Sequence, residues 1–260
     1  MTLPSVFAVL VVAALALLLL PLLGMLVRTP WPRVIEVVTG ARVGAALRVS
    51  VLTSFASLAL STVLGVPLAW LLARVSFPGK RLLRALVVLP MVLPPVVGGA
   101  ALLFAFGRRG VFGGVLERTL GVSLPFTTAG AVLAATFVAM PFLVITVEAG
   151  FRNIDPRLEE AADTLGAGRW TVLRRVTLPL VTPALAAGMA LAWARALGEF
   201  GATITFAGNL PGRTQTMPLA VFLELERDPD AAIVLSLLLL VVSITVLVAL
   251  RDRYLRAPSA

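Results

Sequence analysis

The chain has 260 residues, of which 59% are hydrophobic and 13% charged, and its mean hydropathy is +1.02. This apolar share exceeds the roughly 45–50% of soluble domains, and it arrives in separate runs near the ~20 residues that cross a bilayer, which excludes a single soluble core. Because cysteine and histidine are absent from the sequence, disulfides, Cys/His metal sites, Ser–His triads and histidine proton relays are excluded, and no cofactor is expected.

The net charge of +9 would suit a nucleic-acid-binding domain or a membrane protein with basic connections. Most basic residues lie in the short segments between apolar runs, where anionic lipid and the positive-inside rule account for them. We therefore expect membrane lipid as a partner and no nucleic acid.

Six apolar runs predict about six transmembrane helices and an all-α integral membrane fold. In chain order they cover 6–27, 44–73, 85–106, 127–149, 179–207 and 231–250. The first run has no basic residue before Arg28 and no small-x-small cleavage site, so we interpret it as a retained helix rather than a secretory signal. Pro90, Pro94 and Pro95 predict a kinked or broken third helix.

The distribution of lysine and arginine predicts the orientation of these helices. Twelve basic residues fall in the segments on the side of the N-terminus, the C-terminal Arg251, Arg253 and Arg256 among them, and eight fall on the other side. Arg28 and Arg33, directly after the first helix, oppose this bias. The pattern predicts a multi-pass protein of a prokaryotic cytoplasmic membrane with both termini inside.

The connection 150–178 carries a helical pattern of its own. Asp155 suits a helix N-cap and Pro156 the first helical position, while Gly166 is placed to end the helix. An apolar stripe follows at helical spacing, made of Leu158, Ala161, Ala162 and Leu165. Such a helix could lie on the lipid surface or dock into another protein, and the shallow alanine face favours docking.

A spaced motif lies in the same connection. Glu160-Ala161-Ala162, followed by Gly166 and later by Val176-x-Leu178-Pro179, resembles the signature loop of the permeases of binding-protein-dependent ABC importers. The one departure is Val176, where the family usually has isoleucine. The resemblance implies a coupling site that docks into a cleft of a cytoplasmic ABC ATPase subunit, with residues Glu160, Ala161, Ala162, Gly166, Leu178 and Pro179.

The resemblance also implies the type I ABC importer permease fold, with a short cytoplasmic coupling helix between the fourth and fifth transmembrane helices. We interpret 1–260 as a single transmembrane permease domain, with a core over 44–250 and the coupling loop over 150–178. The sequence has no P-loop, so the chain itself is not expected to be an enzyme, and ATP would be hydrolysed by the partner subunit. Six helices form half of such a translocator and show no internal duplication, so we expect a homodimer, or a pair with a related second permease.

The segment 194–222 contains "GEFGATITFAGN" followed by "PGRTQTMP". It resembles the molybdate branch of the sulfate, molybdate and tungstate permeases, since sulfate permeases usually have tyrosine in place of Phe200. The resemblance implies import of molybdate or tungstate, delivered by an extracytoplasmic oxyanion-binding protein. A sulfate or thiosulfate permease is the alternative.

Two charged residues, Arg195 and Glu199, fall in the middle of the predicted fifth helix. At i, i+4 they share a face and can neutralise one another. They either fix the rotation of the helix within the bundle or line the transport pathway. Thr203 continues their row, and Thr203 and Thr205 are candidates for a weak lining of the pathway. An adjacent row of small residues predicts close helix contact: Ala186, Ala190, Ala194, Gly198 and Ala202.

Other interpretations have less support in the sequence. An ion-coupled secondary transporter would carry inverted repeats and intramembrane acids, yet Glu199 is the only acid placed mid-span and no repeat is visible. A membrane-embedded enzyme would need a converging nucleophile–base or metal-ligand set, which the sequence does not show. The polar segment after the fifth helix, with Gln215, Glu224, Glu226 and Asp228, is predicted to be a solvated outer loop, or else a contact for the binding protein.

Overall fold

The structure is a computed structural model that describes residues 5–254 and, within them, the side chains of residues 6–246 and 248. Arg256 lies outside the described residues, and so do the side chains of Arg251 and Arg253. The predicted basic C-terminal end therefore has no structural account.

All regular structure in residues 5–254 is helical, as the sequence predicted. A 3-10 turn covers Trp31–Arg33 and a π-helical turn covers Leu173–Thr177. The α-helices of this range, in chain order, are α1 (Ser5–Val27), α2 (Val34–Val38), α3 (Ala41–Arg74), α4 (Lys80–Val92), α5 (Pro95–Phe106), α6 (Gly113–Leu120), α7 (Thr128–Arg152), α8 (Pro156–Thr164), α9 (Arg169–Val172), α10 (Leu178–Leu197), α11 (Gly201–Phe206), α12 (Met217–Arg227) and α13 (Pro229–Tyr254).

Five helical stretches are long and apolar enough to cross a membrane, and α4 with α5 would form a sixth span. This pair is bent by 117°, so the prediction of a broken third span is confirmed. The bend lies at Leu93 and Pro94, which both have extended backbone with ψ near 130°. Proline lacks an N–H and disfavours helical geometry in the residue before it, so consecutive prolines at Pro94 and Pro95 stop α4 and begin α5 anew.

The centre of the bundle is formed by α3, α7 and α10, which pack against one another along much of their length. In lipid, helix association depends on close van der Waals packing, because hydrocarbon is as apolar as the side chains. Glycines permit that approach: a Cβ on Gly65 of α3 would lie 2.9 Å from Leu143 of α7, and one on Gly188 of α10 would lie 3.3 Å from the carbonyl oxygen of Leu143. The core between them contains Leu72, Leu143, Val144, Val147, Phe151 and Val181.

Helix α1 stands apart from this bundle. The apolar segment Val6–Val27 has a mean hydropathy of 3.1, and none of it is buried by the rest of the described chain. It touches α13. An all-round apolar helix of this length suits direct contact with lipid or with another protein in the membrane.

The connection after α1 is tied to the start of α13 by an ion pair. Arg33 NH2 lies 2.6 Å from Asp228 Oδ2, and NH1 lies 3.4 Å from Asp230 Oδ2. The hydrogen bond from Arg33, together with the one from the backbone N–H of Ala231, holds the pKa of the Asp228 carboxyl below its ordinary value.

The segment between α11 and α12 is packed, and the prediction of a solvated loop is wrong for its central part. Thr214, Gln215 and Thr216 are buried. The hydroxyl of Thr214 accepts a hydrogen bond from Leu210 N at 2.9 Å, which closes the turn locally. A polar composition did not reveal this burial: the segment's own backbone uses the hydroxyl of Thr214, whereas the hydroxyl of Thr216 has no hydrogen-bond partner among the described residues.

Candidate functional site

The predicted coupling helix is present as α8. Asp155 accepts a hydrogen bond from the backbone N–H of Arg157 at 3.0 Å, and Pro156 occupies the first helical position, so both features are confirmed. The chain leaves the helix at Gly166, whose φ of +81° lies in the left-handed region. Glycine adopts this conformation without the steric cost that a Cβ would add.

One face of α8 and the turn after it are open to the surroundings. Leu165 is 88% exposed and Leu158 is 49% exposed. Glu160 is exposed at the edge of this open side, about 200° around the helix from Leu158, and its carboxylate has no ion-pair partner among the described residues. The exposed or half-buried residues of this face, which we call the docking face, are Leu158, Glu160, Ala161, Ala162, Leu165 and Gly166.

Leu178 and Pro179 lie apart from the docking face, in the first turn of α10. Leu178 packs against the core between α3, α7 and α10. Pro179 follows directly on the π-helical turn, and the backbone at Thr177 and Leu178 is helical, so α10 continues this turn without a break. The signature motif therefore has two parts, an exposed helix and the start of a membrane helix.

Glu159 joins these two parts, and sequence reasoning missed it. Its Oε1 accepts a hydrogen bond from Arg74 NH2 at 2.9 Å and another from the hydroxyl of Thr177 at 2.8 Å. Arg74 ends α3, and Thr177 ends the π-helical turn that leads into α10. The sequence signal was the Glu159-Glu160 pair: neighbours on a helix differ by about 100°, so one carboxylate faces inward when the other faces outward.

Arg195 and Glu199 form the ion pair that their spacing predicted, with 2.6 Å between Arg195 NH2 and Glu199 Oε2. The side chain of Glu199 is 1% exposed and that of Arg195 26%. The helix does not continue through the pair: α10 ends at Leu197 and α11 begins at Gly201. The Oε1 of Glu199 accepts a hydrogen bond from Ala202 N at 2.8 Å, so this carboxylate also caps α11.

The prediction that Thr203 continues the row of Arg195 and Glu199 is wrong, because the helix is interrupted between them. Phe200, with φ −126° and ψ −58°, lies outside the helical region. Thr203 is buried beyond this break. Thr205 is half-buried, and its hydroxyl donates to the carbonyl oxygen of Gly201 at 2.8 Å.

The two interrupted spans meet, because α5 packs against α11. A Cβ on Gly99 would lie 2.7 Å from the Cβ of Thr205 and 2.8 Å from the carbonyl oxygen of Ala202. A Cβ on Gly201 would lie 2.7 Å from the Cβ of Pro95. Discontinuous membrane helices of this kind form the substrate sites of many transporters, since their ends expose backbone groups near the midplane.

The predicted row of small residues on α10 is not the one that makes the closest contact. The α7 side of α10 carries Ala184 and Gly188; Gly150 of α7 lies directly against Ala184, leaving no room for a Cβ. Ala186 and Ala202, at the two ends of the predicted row, are buried, Ala190 and Ala194 are half-buried, and Gly198 is exposed. The middle of that row is therefore only partly covered within one protomer.

A line of serines on α3 is buried and was not singled out from the sequence. Ser50 Oγ accepts a hydrogen bond from Met217 N at 2.6 Å, while the hydroxyls of Ser57 and Ser61 have no hydrogen-bond partner among the described residues. The line consists of Ser50, Ser54, Ser57 and Ser61. The spacing i, i+4, i+7, i+11 was the available signal, and it marks a small polar face that lets neighbouring helices approach.

Glu148, near the end of α7, is also buried and was not assigned a partner beforehand. Its Oε1 pairs with Arg84 of α4 and lies 3.3 Å from Arg152 Nε. The contact with Arg84 joins helices that are 64 residues apart in sequence. Such a pairing depends on the tertiary fold and has no local sequence signal.

Comparison with known proteins identifies the family. The family described as "Binding-protein-dependent transport system inner membrane component" matches residues 65–257. The chain belongs to this family. Among relatives of this inner membrane component, the "Molybdenum transport system permease protein ModB" of Mycobacterium tuberculosis is 48% identical over 93% of this chain and 91% of its own length. The "Sulfate transport system permease protein CysT" of Escherichia coli is 39% identical over 89% of this chain and 84% of its own length.

A solved structure supports the fold of the inner membrane component. A bacterial ABC transporter involved in the import of the acidic polysaccharide alginate gives a TM-score of 0.79 over 98% of this chain and 96% of its own, at 19% identity. At that identity the likeness concerns the fold alone. The all-α fold of an ABC importer permease, which the signature loop implied, is confirmed, and the chain is a multi-pass inner membrane protein.

Proposed function

We propose that this chain is the membrane-spanning subunit of an ATP-driven importer of molybdate, with tungstate as the nearest chemical alternative. The observation that carries the proposal is the 48% identity to a molybdenum permease over 93% of the chain, against 39% over 89% to a sulfate permease. The chain has Phe200 in the segment where the sulfate branch usually has tyrosine.

The docking face would couple this chain to ATP hydrolysis. An exposed helix with leucines beside alanines and an unpaired carboxylate suits insertion into a groove of a soluble partner that offers a basic residue. We assign that partner as a separate cytoplasmic ABC ATPase subunit that hydrolyses the ATP, with Glu160, Ala161, Ala162 and Gly166 at the contact. Glu159 would then carry the movement of α8 to α3 and α10 through Arg74 and Thr177.

From this assignment we also propose a topology and an assembly. The docking face lies in the cytoplasm, and the N- and C-termini lie on the same side. The single permease domain over 1–260, with its core over 44–250, forms half of the translocator and is completed by a second copy. An extracytoplasmic oxyanion-binding protein delivers the substrate from the other side.

Within the membrane we assign Arg195 and Glu199 a structural role in preference to direct anion binding. Glu199 already forms an ion pair with Arg195 through Oε2 and accepts from Ala202 N through Oε1, and a strong permanent site would trap an anion that must leave. The hydroxyl of the half-buried Thr205 and the backbone groups at the α4–α5 and α10–α11 breaks suit a weak lining. Buried Thr203 would support that lining from behind.

The deciding experiment is uptake of labelled molybdate by cells that produce this chain together with an ATPase subunit and a binding protein. We expect ATP-dependent uptake that excess tungstate suppresses and an equal excess of sulfate leaves largely unchanged. Sulfate competition equal to that of tungstate would assign the chain to sulfate transport instead. Uptake that persists without the ATPase subunit would contradict the importer proposal itself.

A further inference from the structure

A cavity of about 450 Å³ lies beside the start of α4, and its lining is strongly basic. Four of the six lining residues carry a positive charge at neutral pH, and no acidic residue is among them. The lining consists of Phe77, Gly79, Lys80, Arg81, Arg84 and Arg152.

The protein neutralises little of this charge itself. Arg84 and Arg152 share the single carboxylate of Glu148 behind the cavity. The Nζ of Lys80 donates to the uncharged carbonyl oxygen of Val75 at 2.9 Å. Arg81 is exposed and forms no ion pair with any described residue. Four cations therefore face one carboxylate at close range, an arrangement that an additional anion would stabilise.

The local backbone adds to this excess. Lys80 and Arg81 lie in the first turn of α4, which contains no acidic residue and no side-chain cap. The N-terminal end of a helix dipole is positive, so cations in this turn are unfavourable unless an anion lies nearby.

Below the basic cavity, the exposed side of α4 is apolar. Arg81 is followed on its own side of the helix by Ala85, Val88 and Val92, at i+4, i+7 and i+11. Ala85 is exposed, Val88 is half-buried and Val92 is 76% exposed. One surface of α4 therefore carries a basic end and an apolar flank. A free inorganic anion would use only the basic end, whereas a phospholipid would use both.

We propose that this cavity binds the phosphate headgroup of an anionic phospholipid, whose acyl chains lie along the apolar flank of α4. Guanidinium groups suit the headgroup because they can donate two parallel hydrogen bonds to phosphate oxygens. The basic cavity is distinct from the docking face, lies at the opposite end of α4 from the break at Leu93 and Pro94, and requires no particular transported substrate. Lipid binding at this site can therefore be tested independently of the proposed function.

The test is native mass spectrometry of the purified chain with phosphatidylglycerol or phosphatidylcholine in the detergent micelle. We expect phosphatidylglycerol to be retained in preference to phosphatidylcholine. The double change Lys80→Gln with Arg81→Gln should weaken its retention by about fivefold for each charge removed. The matched control is Arg157→Gln with Arg175→Gln, which removes the same charge from exposed positions outside the cavity and should leave retention within about twofold. Unchanged melting temperatures show that both variants are folded.

Three results would overturn the proposal. Equal retention of the two lipids would remove the requirement for an anionic headgroup. Displacement of phosphatidylglycerol by millimolar glycerol phosphate or inorganic phosphate would show a site for a free anion. A cavity variant that keeps the lipid but loses association with the ATPase subunit would reassign these cations to a protein contact.

Discussion

Glu199 has two partners of different kinds, the guanidinium of Arg195 and the backbone N–H of Ala202. A carboxylate in a low-dielectric interior is costly unless both its charge and its lone pairs are satisfied. Here Arg195, on the preceding helix, neutralises the charge, and the N–H of Ala202, on the following helix, donates a hydrogen bond to one oxygen. At the break between α10 and α11, Glu199 thus supplies an acceptor for one backbone N–H at the start of α11.

We predict that Arg195→Met and Glu199→Gln each destabilise the folded chain, by about 3 kcal/mol for loss of one partner of a buried pair. The double variant should recover most of this loss, because no unpaired ion remains and glutamine still accepts from Ala202 N. Melting temperature and folded yield in detergent measure the effect as a double-mutant cycle.

Losses that simply add in the double variant would mean that the two side chains do not interact. Uptake by the folded double variant then tests the structural role. We expect transport to recover together with yield, and a well-folded double variant without transport would assign Arg195 to the pathway.

The neighbouring carboxylates Glu159 and Glu160 of α8 allow binding of the ATPase subunit to be tested separately from the stability of the chain. We predict that Glu160→Ala leaves the melting temperature of the isolated chain unchanged but weakens binding of the ATPase subunit. Glu159→Ala should lower the stability of the isolated chain by about 1–3 kcal/mol, because Arg74 and Thr177 lose their partly buried acceptor.

Thermal melting and ATPase pull-down on the same preparations give both readouts. The assignment of the two carboxylates is wrong if Glu160→Ala destabilises the isolated chain as much as Glu159→Ala does.

At the scale of elements, the contact between α5 and α11 depends on a residue without a side chain. We predict that Gly99→Ala costs about 1–3 kcal/mol through overpacking against Thr205 and Ala202. The control is Gly44→Ala in α3, where no atom lies within 4 Å of the added Cβ. Gly44→Ala should be neutral or slightly stabilising, since alanine favours the helix over glycine. Equal melting temperatures for both variants and the parent chain would contradict this close approach.

The elements differ in how far their sequence predicted them. The spans and the cap of α8 follow from local rules: apolar length for the spans, and Asp155 before Pro156 for the cap. Consecutive prolines predicted the break between α4 and α5. The break between α10 and α11 was missed, because Gly198 and Gly201 are tolerated in membrane helices, and the signs of the break are tertiary: the backbone of Phe200 and the contact of Glu199 with Ala202.

The candidate site shows the same division. The motif spacing predicted the docking face, whose residues are exposed as a contact surface requires. The inward partners were not predicted: Glu159 reaches Thr177 across 18 residues and Glu148 reaches Arg84 across 64. Local periodicity specifies which face a residue occupies, but the identity of its distant partner depends on how the helices cross.

At the scale of the whole molecule, the middle of the small-residue row on α10 is only partly covered, with Ala194 half-buried and Gly198 exposed. We predict that Ala194→Leu leaves the protomer folded and reduces its dimerisation, because a small-residue row allows close helix approach that leucine blocks. The matched control is Ala85→Leu, the same chemical change at an exposed position of α4. Native mass measurement of the complex with the ATPase subunit gives the stoichiometry, and a parent complex with one copy of the chain would contradict the homodimer.

The isolation of α1 also bears on how the protein is made. A segment with a mean hydropathy of 3.1 and no charged residue partitions into the bilayer alone. Span α10 carries Arg195 and leads directly into Glu199, which insertion scales penalise by about 2.5–3.5 kcal/mol per central charge. The two helices therefore differ in how they insert into the membrane. Helix α1 can insert into lipid independently, whereas stable insertion of α10 requires that its charge be neutralised and that α7 be present to pack against it.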